Sequence, residues 1–192
     1  MGVDLVAEHV QAVRERDSEA EVVLASWRNL PFTKDEFKGA YVMGRSLLHE
    51  YEVEGMVLAL REIGRVTGGK IVLDLPNADK GHYLKERKRF AKAVEKLGVS
   101  YYEGGAIVDS PNGENFFDRL APSEAQFRAI ARLAGFEARV IERREYTDEE
   151  GEENENVYWR LTKLERPMGL EEALESMVEA RQSGPPIRVF RI

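Results

Sequence analysis

Residues 59–77 read ALREIGRVTGGKIVLDLPN, and this stretch decides the fold class. Apolar residues recur every three or four positions over 53–66, which predicts an amphipathic helix with one buried face. The pair Gly68 and Gly69 is expected to end that helix in a left-handed cap. The apolar run 70–75 that follows predicts a central, buried strand. A helix leading directly into a buried strand is typical of a parallel sheet with crossover helices.

The same alternation continues on both sides of this stretch. Further strands are predicted at 3–6, 21–25, 39–43, 136–146, 157–164 and 187–192, and further helices at 7–16, 78–97, 123–134 and 169–182. Strands 136–146 and 157–164 are joined by an acidic loop, 148–155, so they predict an antiparallel hairpin. We expect this loop to be a mobile turn without partners. The predicted fold class is α/β, a three-layer sandwich with a mostly parallel sheet and a C-terminal antiparallel hairpin.

The composition excludes several classes of protein. Of 192 residues, 28 are Lys or Arg and 35 are Asp or Glu, giving a net charge of −7, which does not favour a general nucleic-acid binder. There is no cysteine, which excludes a disulfide scaffold, a thiolate zinc site and a cysteine nucleophile. The three histidines are dispersed, and no metal site is predicted. No signal peptide or apolar span is evident, so a cytoplasmic location is predicted and no membrane partner.

Five phrases follow one another in a characteristic order: GVDLVAEHVQAVRER (2–16), EVVLASWRNLPF (21–32), KGAYVMGRSLLHEY (38–51), ALREIGRVTGGKIVLDLPN (59–77) and RLAPSEAQFRAIARLAGFEARVIERREY (119–146). In this order they resemble the class I S-adenosylmethionine (SAM)-dependent methyltransferases, which have a Rossmann-like fold. The resemblance runs from Gly2 to about Leu164. It implies SAM as the cofactor, a methyltransferase-like domain over 1–166, and a C-terminal helix and strand extension over 167–192.

One diagnostic element of that family is missing from the sequence. The resemblance implies a first strand and a G-x-G-x-G loop ahead of Gly2, and that strand lies between the second and fourth strands in the family. Without it, two strand edges lack partners. Either the chain is a fragment that is incomplete at its N-terminus, or another segment fills the gap. The tail 187–192, IRVFRI, is the spare strand, but Arg188 and Arg191 place it at an edge or subunit interface rather than in the sheet centre.

The resemblance assigns cofactor-binding residues to the ends of three predicted strands. They are Asp4 and Leu5, then Ser26, Trp27 and Arg28, then Met43, Gly44 and Arg45. Asp4 would accept hydrogen bonds from a ribose diol, and Trp27 would stack on the purine or instead cover the core. Gly44 would allow close backbone approach to the cofactor.

Two residues are candidates for catalysis, and each also has a purely structural interpretation. His49 is a candidate base, because the ordinary pKa of histidine is about 6.5. Tyr83 would line the substrate pocket or pack in the core. The predicted function is SAM-dependent methyl transfer to a small molecule. The alternatives are a non-catalytic methyltransferase-like binding or regulatory subunit, and an RNA methyltransferase suggested by the basic stretch 80–89. A homodimer or a completing subunit is the expected partner.

Overall fold

The computed structural model describes residues 1–44, 46–50, 53–81, 83–85, 107–109, 115–117, 121–149, 151–169 and 171–172. The strands in these ranges are β1 (Gly2–Asp4), β2 (Val22–Leu24), β3 (Phe37–Val42), β4 (Thr67–Pro76), β5 (Ile107–Asp109), β6 (Asn115–Phe117), β7 (Phe136–Thr147) and β8 (Glu153–Lys163). The helices are α1 (Ala7–Arg16), a 3-10 helix (Ser46–His49), α2 (Val53–Val66) and α3 (Glu124–Leu133). The predicted tail elements at 169–182 and 187–192, and most of the predicted helix 78–97, lie outside the described residues.

The strands form three sheets in the described part of the chain. β1 and β2 pair in parallel, β5 and β6 form an antiparallel pair, and the largest sheet has the order β3-β4-β8-β7. Within that sheet β3 and β4 are parallel, whereas β8 is antiparallel to both of its neighbours. The prediction that 70–75 is a central strand is confirmed, since β4 lies between β3 and β8.

The mostly parallel sheet of the sequence prediction is not seen among the described strands. They make two parallel and three antiparallel pairs. The reason is that β1–β2 and β3–β4, the two parallel pairs, are not hydrogen-bonded to each other. β1 and β3 therefore each have one edge without a partner strand in the residues the structure describes.

One face of the large sheet is the main core of the protein. Alternate β4 residues pair with buried β8 residues, in the pairs Ile71–Leu161, Leu73–Trp159 and Leu75–Val157. The apolar sides of α2 and α3 join the same buried cluster. The predicted helix 53–66 is confirmed, and its buried face carries the residues expected from their spacing. The N-terminus of α3 has the predicted capping box, in which Ser123 and Gln126 bond each other's backbone N–H.

The glycine pair after α2 has a different role from the predicted cap. Gly68 and Gly69 belong to β4, and neither has a positive φ angle. A Cβ atom on Gly69 would overlap the carbonyl oxygen of Lys38 in β3. The close approach of β3 and β4 thus requires glycine at position 69. The local sequence does not distinguish such a glycine from one that ends a helix.

The acidic segment 148–155 also differs from expectation. β8 begins at Glu153, so only the first part of the segment is a turn. The Asp148 carboxylate accepts hydrogen bonds from Glu152 N and Asn154 Nδ2, both at 2.8 Å. Asn154 and Glu155 are buried. The prediction of a partnerless turn is wrong for these residues. The Asp148 carboxylate is satisfied within its own turn, whereas strand pairing brings Glu155 to partners that are distant in sequence.

No helix among the described residues is both long enough and apolar enough to cross a membrane.

Candidate functional site

The predicted cofactor residues lie where β1, β2 and β3 end. Asp4 is the last residue of β1, Ser26 follows β2 closely, and Met43 and Gly44 follow β3. The carboxyl ends of parallel strands are where open α/β sheets bind ligands. The turn that follows β2 contacts the longer segment that follows β3 through Glu50.

Asp4 has a carboxylate that is oriented by its own chain. Its Oδ1 accepts a hydrogen bond from Val6 N at 2.8 Å, and its Oδ2 lies 3.3 Å from His9 Nδ1. The Val6 N–H, and then the neighbouring His9, hold the pKa of Asp4 below its ordinary value. The side chain is 40% exposed, so an ionised carboxylate at the end of β1 retains room to accept further hydrogen bonds. The adjacent Leu5 is exposed.

Residues Ser26–Asn29 form a tight turn after β2. Ser26 and Asn29 bridge one another, and Asn29 N donates to the Ser26 carbonyl at 3.0 Å. The Ser26 hydroxyl accepts from Arg28 N at 3.2 Å. The turn therefore presents Trp27 and Arg28 from a fixed backbone.

A buried carboxylate, Glu50, joins this turn to the segment after β3. Trp27 Nε1 donates to Glu50 Oε1 at 2.5 Å, and Arg28 Nε lies 2.9 and 3.0 Å from the two carboxylate oxygens. Arg28 Nη2 also donates to Glu50 Oε2. The Glu50 side chain is only 6% exposed, and charge-assisted hydrogen bonds of this kind are among the stronger ones in proteins. Trp27 is half-buried and packs against the core, so its indole is anchored rather than freely available.

A second connection lies further along the same loop. Leu30 N donates to Glu62 Oε1 at 2.8 Å, while Arg65 donates to the carbonyls of Leu30 and Phe32 at 3.0 and 2.8 Å. Arg65 also pairs with Glu62 at 2.7 Å. The hydrogen bond from Arg65 lowers the pKa of Glu62 despite partial burial. The loop from β2 to β3 is thus held against α2 at Leu30 and at Phe32.

Gly44 gives the end of β3 an open backbone. Its φ angle is +69°, a conformation that favours glycine. A Cβ atom at this position would meet no other atom within 4 Å. Among the described residues, apart from the chain neighbours, no atom fills the space beside Gly44. The neighbouring Met43 is exposed. Arg45 lies outside the described residues.

The two predicted catalytic residues follow neighbouring strands. His49 ends the 3-10 helix after β3 and is exposed. Tyr83 lies after β4 and is half-buried against the core. Their roles as base and pocket wall stay predictions.

The sequence placed Glu50 beside His49 but did not predict that Glu50 is buried or that it contacts Trp27 and Arg28. The available signal was Gly55, two residues into α2, where glycine weakens a helix. A Cβ atom there would overlap Glu50 Oε2 and contact Arg28 Nη2. The glycine leaves room for the buried ion pair, and a small residue in an early helical turn can indicate such a site.

A network of charged residues lies beyond the end of β4. Buried Glu155 accepts hydrogen bonds from Asn77 Nδ2 at 2.7 Å, Lys80 Nζ at 3.1 Å and Arg143 Nη1 at 2.8 Å. Lys80 also donates to Glu145 at 2.7 Å. Burial by itself would raise the pKa of Glu155. The hydrogen bonds from the three donors together outweigh burial, so the pKa of Glu155 lies below its ordinary value. Within the described ranges, no group of three acidic or histidine side chains is placed to hold a metal ion.

Comparisons with known proteins identify the fold. No model of a known protein family matches the sequence, and no curated protein does. Among solved structures, a SAM-dependent methyltransferase from Methanosarcina mazei matches with a TM-score of 0.66 and 18% identity, over 85% of this chain and 82% of that one. A SAM-dependent methyltransferase from Thermotoga maritima matches with a TM-score of 0.57 and 19% identity, over 85% and 72%.

A third similar structure contains two kinds of protein. It is the complex between the Haloferax volcanii Trm112 methyltransferase activator and a methyltransferase, with a TM-score of 0.52 and 14% identity, over 88% of this chain and 72% of that one.

These likenesses show that the chain has the fold of the class I SAM-dependent methyltransferases. The predicted resemblance is confirmed at the level of the fold.

Proposed function

We propose that the chain binds SAM and transfers its methyl group to a small molecule. The observation that carries this proposal is the position of Asp4, the Ser26–Asn29 turn and Gly44. They lie at the ends of three successive strands of a fold that SAM-dependent methyltransferases share. We also propose that the β1–β2 and β3–β4–β8–β7 sheets belong to one three-layer sandwich.

The residues present fit such a cofactor. Asp4 offers an ionised, partly exposed carboxylate that suits a ribose diol. Gly44 offers a left-handed backbone, and among the described residues other than its chain neighbours no side chain fills the space beside it. When bound, SAM supplies an electrophilic methyl group on a sulfonium. The chain's own contribution is then mainly positioning, which can account for much of an enzyme's rate enhancement. His49 would accept a proton only where the methyl acceptor must lose one.

A small-molecule acceptor is favoured over RNA. Of the basic stretch 80–89, Lys80 and Lys85 are described, and both are paired with acids, Lys80 with Glu145 and Glu155 and Lys85 with Glu152. Cations that are already paired contribute little to binding phosphates. The Thermotoga maritima neighbour is named as a possible histamine N-methyltransferase, which is a small-molecule activity.

β1 and β3 each have one edge without a partner strand among the described residues, and this supports the proposal that a second polypeptide completes the sheet. Exposed apolar side chains accompany these edges, with Leu5 70% and Tyr41 80% exposed. An apolar edge of this kind favours strand pairing with another chain. One similar structure is a complex with a methyltransferase activator, so a partner subunit fits the fold. Light scattering of the purified chain distinguishes a second copy of the chain from a different subunit.

If the chain does not bind SAM, the alternative proposal is a methyltransferase-like regulatory subunit.

Calorimetric titration with S-adenosylhomocysteine tests the proposed function. We expect saturable binding that is weakened roughly 5- to 150-fold in Asp4→Ala, because a lost hydrogen bond to a charged group costs about 1–3 kcal/mol. Asp4→Asn separates this effect from folding, since its amide oxygen can still accept from Val6 N. Glu8→Ala is the matched control, because Glu8 is an exposed acid in the first turn of α1. Equal affinity in Asp4→Asn, Asp4→Ala and the wild type would remove Asp4 from the site.

A further inference from the structure

We propose that Glu50 is a positioning residue of the candidate cofactor site. It fixes the turn after β2 against the segment after β3 and thereby sets the width of the site between them. This inference rests on the proposed function, and it names a residue that acts through Trp27 and Arg28 rather than by touching the cofactor.

β1–β2 and β3–β4 share no strand hydrogen bonds among the described residues. Within the part of the chain that the structure describes, side-chain contacts connect the segments that follow the two pairs. Glu50 accepts from Trp27 and from Arg28, which lie 23 and 22 residues earlier and follow the other sheet.

The geometry of the Glu50 contact restrains the turn after β2. The Glu50 carboxylate receives the indole N–H and two guanidinium nitrogens, and it is almost completely buried. A carboxylate with three donors on two adjacent residues restrains both their position and their orientation. Arg28 is about half exposed, so solvent reaches the pair through the guanidinium rather than through the buried carboxylate.

The neighbouring helix leaves room for this contact. Gly55 is buried in the first turn of α2, where a methyl group would displace the Glu50 carboxylate and the Arg28 guanidinium. Glycine weakens a helix relative to alanine, so the position carries a residue that suits the ion pair rather than the helix.

The Glu62–Arg65 connection provides a matched control. It holds the same loop through a carboxylate, but the carboxylate is on α2, and the contacts are at Leu30 and Phe32, beyond the Ser26–Asn29 turn. If the role of Glu50 is purely structural, replacing Glu50 and replacing Glu62 should change the affinity for the cofactor equally. A positioning role predicts that only Glu50 affects the cofactor.

The test compares Glu50→Gln, Gly55→Ala and Glu62→Gln with the wild type. Calorimetry gives the affinity for S-adenosylhomocysteine, urea unfolding gives the stability, and NMR follows the Trp27 indole N–H. We expect Glu50→Gln and Gly55→Ala to shift the Trp27 indole resonance and to lower the affinity about tenfold. Glu62→Gln should lower stability while leaving the affinity within about twofold of the wild type.

Two results would overturn the inference. One is wild-type affinity in Glu50→Gln, and the other is an equal loss of affinity in Glu62→Gln. If the wild type does not bind S-adenosylhomocysteine, the proposed function fails. The Glu50 contact is then judged by NMR alone, and an unchanged Trp27 indole resonance in Glu50→Gln would contradict it.

Discussion

Trp159→Ala is expected to lower the free energy of unfolding by about 3–5 kcal/mol, the range for truncating a large buried aromatic side chain. Trp159 is 1% exposed and lies on β8 between Leu73 of β4 and Val140 of β7. Its ring lies 4.9 Å from that of Phe127 in α3. Removing it would leave a cavity where the sheet meets α3.

Urea unfolding, followed by circular dichroism, measures this loss. Tyr158→Ala is the matched control, since Tyr158 is the preceding residue on the same strand but faces the other side and is half-buried. The Tyr158 variant should lose clearly less stability. Equal losses in the two variants would show that the main core does not lie on the Trp159 face of the sheet.

Glu155→Gln is expected to lower stability by about 1–3 kcal/mol at pH 7. The glutamine would place an amide NH₂ group against Lys80 or Arg143, which now donate to the buried carboxylate. Because these cations are about 40% exposed, water compensates part of the loss. Glu145→Gln is the control, since Glu145 is 75% exposed and a surface pair contributes little.

The effect of Glu155 should depend on pH in a defined direction. The folded pKa of Glu155 is lowered from the ordinary value of 4.5. Its stabilising contribution is therefore complete above that value and is lost as the pH falls through the lower folded pKa. We expect the stability difference between the wild type and Glu155→Gln to shrink in acid. A difference that stays constant from pH 7 to about pH 3 would contradict the ionised network.

Local patterns predicted the helices and the central strand well. α2 and the α3 capping box were evident because their signals span only a few neighbouring residues. The ends of β1, β2 and β3 also lie close to the predicted positions. Asp4, Trp27 and Gly44 were placed at these ends by the resemblance to the methyltransferases, and their role in binding stays a prediction.

Contacts between distant residues could not be predicted in the same way. Glu50 meets Trp27 and Arg28 across more than 20 positions, and Glu155 meets Asn77 and Lys80 across 78 and 75. Both carboxylates resemble ordinary surface acids in the sequence. Only the folded chain shows that they are buried and paired, because no local spacing encodes the partner.

The measurement that tests the central claim most directly is an NMR titration of the ¹⁵N-labelled chain with S-adenosylhomocysteine. The claim predicts saturable shifts at the Trp27 indole N–H and at the amides of Leu5 and Gly44, while amides of the β7–β8 turn stay unchanged. Two tryptophans make the indole signals simple to assign. No saturable shift, or shifts confined to residues away from the ends of β1, β2 and β3, would contradict it.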